Sequence, residues 1–172
     1  MSALVRSAVR VRRPGLRLRH RESYVDRKHD ESLIDRLSAA LRFGADDNPL
    51  GMTLEHGDPQ ALDGGRHLVP LQLKIPVERL ALLPTSAGDA RQCQATLLVA
   101  TMNSESHVAG PQEYAISFQV EEEKFASGRS LVYAHAVHLT LAEGKHRIAI
   151  GVWDDIGKVG SFLSEELQIG GP

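Results

Sequence analysis

The chain has 172 residues, of which 42% are hydrophobic and 24% are charged, and its formal net charge is −2. This length provides one domain of ordinary size, and this composition excludes disorder, a collagen-like repeat and a coiled coil as the main state. No apolar run reaches the roughly 18 residues that a bilayer-spanning helix needs, and the N-terminus lacks the apolar core of a signal peptide. We therefore expect a folded domain without a transmembrane segment.

The charge is distributed unevenly along the chain. Residues 1–30 carry a net charge of +6 and the remainder carries −8. Arginines in the basic part alternate with apolar residues: Arg10, Arg12, Arg17 and Arg19. This period of two predicts either two short strands over residues 5–21, joined by a turn at Pro14-Gly15, or one bent strand. We favour a solvated strand face over nucleic-acid binding, because aromatic side chains that could stack on bases make up only 5% of the chain.

The next segment changes to a helical period. Its apolar residues recur at the spacing of one helix face: Leu33, Ile34, Leu37, Ala40 and Leu41. They predict an amphipathic helix over residues 30–43, with Asp30 as its N-cap and Gly44 as the residue that ends it. We accordingly divide the chain into residues 1–47, a basic strand pair plus a helix, and residues 48–172, a β domain.

Almost everything after residue 48 shows the alternation of strands. About seven strands are expected, at residues 50–54, 71–77, 94–102, 114–120, 131–141, 148–152 and 163–169. Pro70 and Pro76 predict that the second of these is an edge strand or is broken, residues 56–66 are expected to form a loop, and Glu143-Gly144 is expected to be a tight turn. The spacing is typical of an antiparallel, immunoglobulin-like β-sandwich.

Several ordered pieces carry a family resemblance. They are the basic stretch 9–19 leading to Tyr24, Asn48-Pro49-Leu50-Gly51, Val69-Pro70, and residues 144–148 leading to Val152-Trp153-Asp154. Together they resemble the region that follows the von Willebrand factor A-like domain in bacterial VWFA-related proteins, a family common in Acidobacteria.

The resemblance implies that residues 1 to about 25 are the tail of an upstream domain. It also implies that residues from 50 onward are an appended β-sandwich in an exported or periplasmic protein. The Asp-x-Ser-x-Ser element through which an A-like domain binds its metal does not occur in this sequence. Metal-dependent adhesion is therefore not carried over.

Two groups of residues suggest metal chemistry. His138 and His146 flank the expected turn and would approach each other across a hairpin, but a zinc site needs three or four ligands. Asp154 and Asp155 lie together in a predicted loop, where they either bind calcium or stabilise the turn through their own backbone. We favour the turn, and we expect no metal, cofactor or catalytic site.

Two single residues remain. Cys93 is the only cysteine, has no Cys-x-x-Cys partner and is expected to be buried or idle. Trp153, the only tryptophan, either covers the core or is exposed as an interface anchor. With the four alternating arginines, it completes the set of candidate interaction residues.

These observations favour a non-catalytic β-sandwich module of a larger exported protein, with a structural role or a protein partner. One alternative is a metal-dependent hydrolase that uses His107, His138, His146 and the Asp154-Asp155 loop. The other is a basic arm that binds polyanions. If residues 5–22 belong to an absent upstream sheet, their unpaired strand edges predict a homo-oligomer formed through that segment.

Overall fold

A computed structural model describes residues 5–6, 23–24, 27–127 and 130–170, with side chains from residue 31 onward. The expected turn at Pro14-Gly15, most of the segment expected to oligomerise and the four candidate arginines (Arg10, Arg12, Arg17 and Arg19) lie outside the described residues. The elements before residue 80 are β1 (Val5–Arg6), β2 (Ser23–Tyr24), α1 (Arg27–Phe43), β3 (Thr53–His56), β4 (Gln60–Leu62), β5 (Arg66–Pro76) and a 3-10 turn (Val77–Arg79). The elements after it are β6 (Leu83–Pro84), β7 (Ala90–Asn103), β8 (Val108–Glu121), α2 (Glu122–Ala126), β9 (Val132–Ala142), β10 (Gly144–Asp154) and β11 (Val159–Ile169).

The strands after α1 form two antiparallel sheets. In the first, called the central sheet, the order is β11-β10-β7-β8, and β6 continues the line of β10 beside the beginning of β7. In the second, called the outer sheet, β5 pairs with β9 on one side and with both β3 and β4 on the other. The prediction of a mainly β, antiparallel sandwich that follows a short strand pair and one helix is confirmed.

The main core fills the space between the two sheets. It contains Leu73 and Ile75 from β5 together with Leu97, Ile148 and Ile150 from the central sheet, all fully buried. Buried and less buried residues alternate along β5 and β9, as the period-two pattern predicts. Each of these two strands therefore buries one face only.

Helix α1 covers the other face of the central sheet and makes a second core. This core combines apolar residues of the helix with residues of β7, β10 and β11: Leu33, Leu37, Ala40, Leu41, Leu98, Ala100, Ala149, Trp153 and Phe162. The molecule thus has three layers, with the central sheet between the helix and the outer sheet. Where β7 and β10 are buried on both faces, at residues 97–100 and 148–153, their sequences are continuously apolar.

The ends of α1 differ in how well the sequence predicted them. The helix begins at Arg27, three residues before the expected start, so Asp30 lies within it and is not its N-cap. Gly44 does end the helix: its φ is +64°, and its N–H donates to the carbonyl oxygen of Ala40 at 2.9 Å. The division of the chain at residue 47 stays a prediction. The second core packs α1, which precedes residue 47, against strands β7, β10 and β11, which follow it.

Phe162 is one of the places where the helix and the sheet meet. The guanidinium of Arg36 lies 4.4 Å from the centre of the Phe162 ring and forms an ion pair with Asp47 at 2.5 Å. Asp47 also exchanges two backbone hydrogen bonds with Phe162, at 2.7 and 3.0 Å. Beneath the ring lies Gly151, where a Cβ atom would approach the ring to 2.7 Å. The absence of a side chain at Gly151 is therefore what allows Phe162 to pack here.

The prediction of an edge position for β5 is wrong, because β5 has strand partners on both sides. The neighbouring strand is broken instead: β3 ends and β4 begins on either side of Gly57. Pro70 lies at this break, and its carbonyl oxygen accepts the N–H of Gly57 at 2.8 Å. Pro70 can occupy an inner strand because the break removes the need for its missing N–H.

The prediction of a hairpin between the strands at 131–141 and 148–152 is also wrong. β9 belongs to the outer sheet and β10 to the central sheet, although only Glu143 separates them. Gly144, with φ of +120°, lies where the chain passes from one sheet to the other. Nine strands follow α1 in the described residues, and β4 falls in the segment that was expected to be a loop. The short helix α2 directly follows β8. Among the described helices, none has the length and apolar character to cross a bilayer.

We predict that Gly151→Ala lowers the free energy of unfolding by about 1–3 kcal/mol, because the added methyl group displaces the Phe162 ring. Chemical denaturation of Gly151→Ala, Phe162→Leu and the double variant measures this. The double variant should lose less stability than the sum of the single losses, because leucine leaves room for the methyl group. Additive losses would contradict the assigned contact.

Candidate functional site

An open cavity of about 370 Å³ lies at the end of the central sheet where β7 finishes and β10 begins. Its lining comes from residues 102–104, 106, 145–147 and 166–168. The lining includes the basic residues that the sequence places just after the Gly144 turn. The cavity is therefore a candidate binding site.

Arg147 lines this cavity, and its guanidinium is already bound by neighbouring groups. Its Nη1 donates to the carbonyl oxygens of Leu41 and Arg42, at 3.3 and 3.0 Å, where α1 ends. Its Nη2 forms an ion pair with Glu166, whose pKa is lowered by the hydrogen bond and the positive charge of Arg147. A cation at the C-terminus of a helix satisfies carbonyl groups that have no partner within the helix. Arg147 thus fastens α1 to β10 and β11.

The remaining ionisable groups of the cavity offer little chemistry. The Nε2 atom of His146 lies 2.9 Å from the carbonyl oxygen of Ala142, and Lys145 is exposed to solvent. Ser104, Ser106 and Gln168 add neutral polar groups to the lining. This arrangement suits weak contact with a small polar or anionic group, because Arg147 is already paired with Glu166 and the positive charge of Lys145 also acts on that carboxylate.

The Asp154-Asp155 loop has the geometry of a turn. Asp154 is 1% exposed, and its carboxylate accepts three backbone N–H groups: from Ala81 at 2.7 Å, from Ile156 at 2.9 Å and from Gly157 at 2.8 Å. Asp155 accepts the hydroxyl of Thr96 at 3.2 Å. Both oxygens of Asp154 are therefore used in joining the turn after β10 to the segment before β6. The sequence left open whether Asp154 binds calcium or stabilises a turn, and its contacts in the structure are those of a turn.

The candidate histidines are spread over separate parts of the fold. His138 is exposed on β9, whereas His146 begins the strand of the other sheet, so the expected approach across a hairpin does not occur. His135 is half-buried, with its Nδ1 atom 3.1 Å from the Tyr133 hydroxyl, and His107 lies 3.2 Å from Glu105 on the surface. Within the described part of the chain, no three His, Cys, Asp or Glu side chains are grouped to hold one metal ion.

Cys93 and Trp153 both belong to the interior. Burial raises the pKa of the Cys93 thiol to about 12, with the negative charges of Asp154 and Asp155 adding to the effect. The thiol is therefore protonated near neutral pH, and the expectation that it is buried is confirmed. Trp153 is 9% exposed and lies beneath α1 in the second core, so it occupies the core position and not the alternative, exposed one.

A feature that the sequence analysis missed lies at the edge of the outer sheet. β9 pairs along its whole length with β5, and no second strand of the described residues pairs with it. Its 11 residues contain no Asp, Glu, Lys, Arg, Gly or Pro. An edge strand of this length normally carries a charge, a proline or a bulge that prevents pairing with another chain. The absence of charged residues over 131–142 was the sequence signal for an unprotected edge. Alternation by itself shows which face of a strand is buried, but it does not show which strand lies at an edge.

The other two long edge strands, β8 and β11, do carry such features. β8 contains Pro111 and Glu113, and its register with β7 shifts between Val99 and Thr101. The edge of β11 is partly covered by Asp46 and Asp47, which hydrogen-bond to its backbone. The opposite edge of the outer sheet consists of the two short strands β3 and β4. Among the three long edges, that of β9 is thus the least protected.

No family model and no curated protein matches this chain. Among solved structures, it is similar to one titled "X-ray structure of Northeast Structural Genomics Consortium target SoR45". The two chains are 9% identical with a TM-score of 0.44, and the match covers 72% of this chain and 88% of the other. The function therefore has to be argued from the residues themselves.

We predict that Asp154→Asn lowers the free energy of unfolding by about 2–3 kcal/mol, because the amide supplies one acceptor oxygen where the carboxylate supplies two. Thermal and urea unfolding measure the loss. Asp58→Asn, in an exposed loop, is the matched control and should change stability little. Millimolar calcium should leave the melting temperature of the unaltered protein unchanged; a clear rise would contradict the structural role of this carboxylate.

Proposed function

We propose that this chain is a non-catalytic module that binds another polypeptide, within a larger exported protein. The observation that carries the proposal is the unprotected edge of β9. An edge strand exposes a row of backbone N–H and C=O groups, and an extended segment can add to the sheet by hydrogen-bonding to them. The 11 residues of β9 provide such a row without charges that would repel an incoming strand.

The contacts of the groups that could take part in chemistry support the same proposal. Asp154 holds a turn, Arg147 holds the end of α1, and Cys93 lies protonated in the core. Each of these groups is occupied in stabilising the three layers, so using it in a reaction would weaken the fold. The proposal therefore assigns binding to the surface and leaves the polar interior a structural role.

The family resemblance gives the proposal its setting. If the chain is the region that follows an A-like domain in VWFA-related proteins, residues 1 to about 25 end that upstream domain and the three-layer unit is appended to it. The proposal takes the sandwich to be immunoglobulin-like, and the antiparallel pairing within both sheets supports this. The hydrolase and the basic-arm binder are alternative outcomes of the test below.

The test is made on the polypeptide as it occurs in the cells that encode it. An immunoblot of fractionated cells should show a band well above 18.8 kDa in the envelope fraction, because the module is expected within a larger protein. On native gels, Ala136→Lys on β9 should reduce the size of the complex, whereas Ala115→Lys on β8 should not. Both alanines are exposed on edge strands, so they form a matched pair.

A cytoplasmic band near 18.8 kDa, unchanged by either substitution, would contradict the proposal. A complex that dissociates steeply with salt would then favour the basic arm. Loss of an assayed hydrolytic activity on chelation would favour the hydrolase.

A further inference from the structure

We propose that β9 pairs with β9 of a second copy of this chain, antiparallel and with the two-fold axis at Val137. This inference rests on the proposed function, since it names the partner of the same edge. The resulting dimer would join the two outer sheets into one continuous sheet. Three features of β9 point to a second copy: its length, its side-chain order and its lack of charge.

The length of β9 sets the register. In an antiparallel pair, residues directly opposite each other point to the same face of the sheet. A two-fold pair must therefore match inward-facing residues with inward-facing ones, which requires the axis to pass through a residue and not between two. β9 has 11 residues, and its middle residue is Val137. With the axis at Val137, the two copies of β9 overlap completely, so that Val132 lies opposite Ala142. This register also keeps the cores of both copies on the same side of the joined sheet.

The side chains fit this register on the face that continues the core. Tyr133 would lie opposite Leu141, His135 opposite Leu139, and Val137 opposite its own copy. Tyr133 and His135 are only half-buried in the single chain, whereas Val137, Leu139 and Leu141 are buried. Pairing would place an apolar side chain beside each of the two half-buried rings.

The outward face of β9 fits the same register. Ala136 would lie opposite His138, and Ala134 opposite Thr140. Each cross-strand pair would combine a small side chain with a larger one, so that none of them brings two bulky groups together.

The charge pattern favours a second copy among the strands that could pair here. Self-pairing places the charges of a strand close to the same charges of its copy, and like charges in opposition destabilise a pair. β9 carries no formal charge, so this penalty does not arise. Self-pairing of the other long edges would bring together Glu113 on β8 or Glu165 and Glu166 on β11. β9 is the long edge of the described structure that can pair with itself without repulsion.

Sedimentation velocity of the full chain over a range of concentrations tests the proposal. We expect a reversible monomer–dimer equilibrium. Ala136→Lys should weaken dimerisation by about tenfold, because it places two ammonium groups near the axis. Ala115→Lys, the matched exposed position on β8, should leave the dimerisation constant unchanged. Circular dichroism and the melting temperature establish that both variants are folded.

Disulfide trapping tests the register separately. When Ala136→Cys and His138→Cys chains are mixed and oxidised, a covalent dimer should form rapidly, because the two positions lie opposite each other. Ala134→Cys mixed with His138→Cys should react more slowly, since these positions are diagonal neighbours. The native Cys93 is buried and should not contribute.

A chain that stays monomeric at all concentrations would overturn the proposal. So would a dimer weakened equally by both lysine substitutions, or one that disappears only when residues 1–22 are removed. A monomer whose native complex still responds to Ala136→Lys would exclude the second copy but retain β9 as a binding edge. A native complex that responds to neither substitution would exclude both.

Discussion

The structure depends on the burial of the central sheet on both faces. On one face, Ile148 and Ile150 of β10 enter the core shared with the outer sheet; on the other, Ala149 and Phe162 pack beneath α1. Without the helix, the tryptophan and phenylalanine side chains of the second core would be exposed to water. Burial of large aromatic side chains stabilises a fold by several kcal/mol, at about 25 cal/mol per Å². The helix is therefore a required layer of this sheet.

Polar contacts at both ends of β10 secure this arrangement. Near its start, Arg147 binds the carbonyl groups at the end of α1; at its end, Asp154 binds three backbone amides of two loops. Asp154 belongs to a pair of acids that, considered as sequence alone, suggests calcium binding or hydrolysis, and Arg147 lines the cavity. The three-layer fold explains why they are better understood as structural contacts. Within the described residues, the outer sheet has no comparable cover along β9, so the backbone groups of that edge are available to another chain.

The sequence predicted which residues are buried in each strand better than it predicted which strands pair with each other. Alternation correctly indicated the buried faces of β5 and β9, and the helical period placed α1 to within three residues at its start. Pairing between strands is a long-range property that period and turn residues do not contain. For this reason Pro70 suggested an edge where the partner strand is broken, and Glu143-Gly144 suggested a hairpin where the chain changes sheets.

The candidate site was harder to predict than the fold. The carboxylate of Asp154 is saturated by amides from residues 81, 156 and 157, and the first of these is distant in sequence. Only the fold reveals that contact. The edge of β9 was missed for a similar reason, because an uncharged strand becomes informative only when its neighbours are known. The basic arginines of residues 10–19 lie outside the described residues, so their proposed role stays a prediction.

Hydrogen exchange of the native protein tests the central claim most directly, because exchange rates report which segments open together. If the helix is a required layer, the amides of α1 between Leu33 and Leu41 should be protected. Their protection should fall together with that of Ile148–Trp153 in β10 as denaturant is added. If those helix amides exchange freely while β10 stays protected, α1 is a detachable tail and the three-layer account is contradicted.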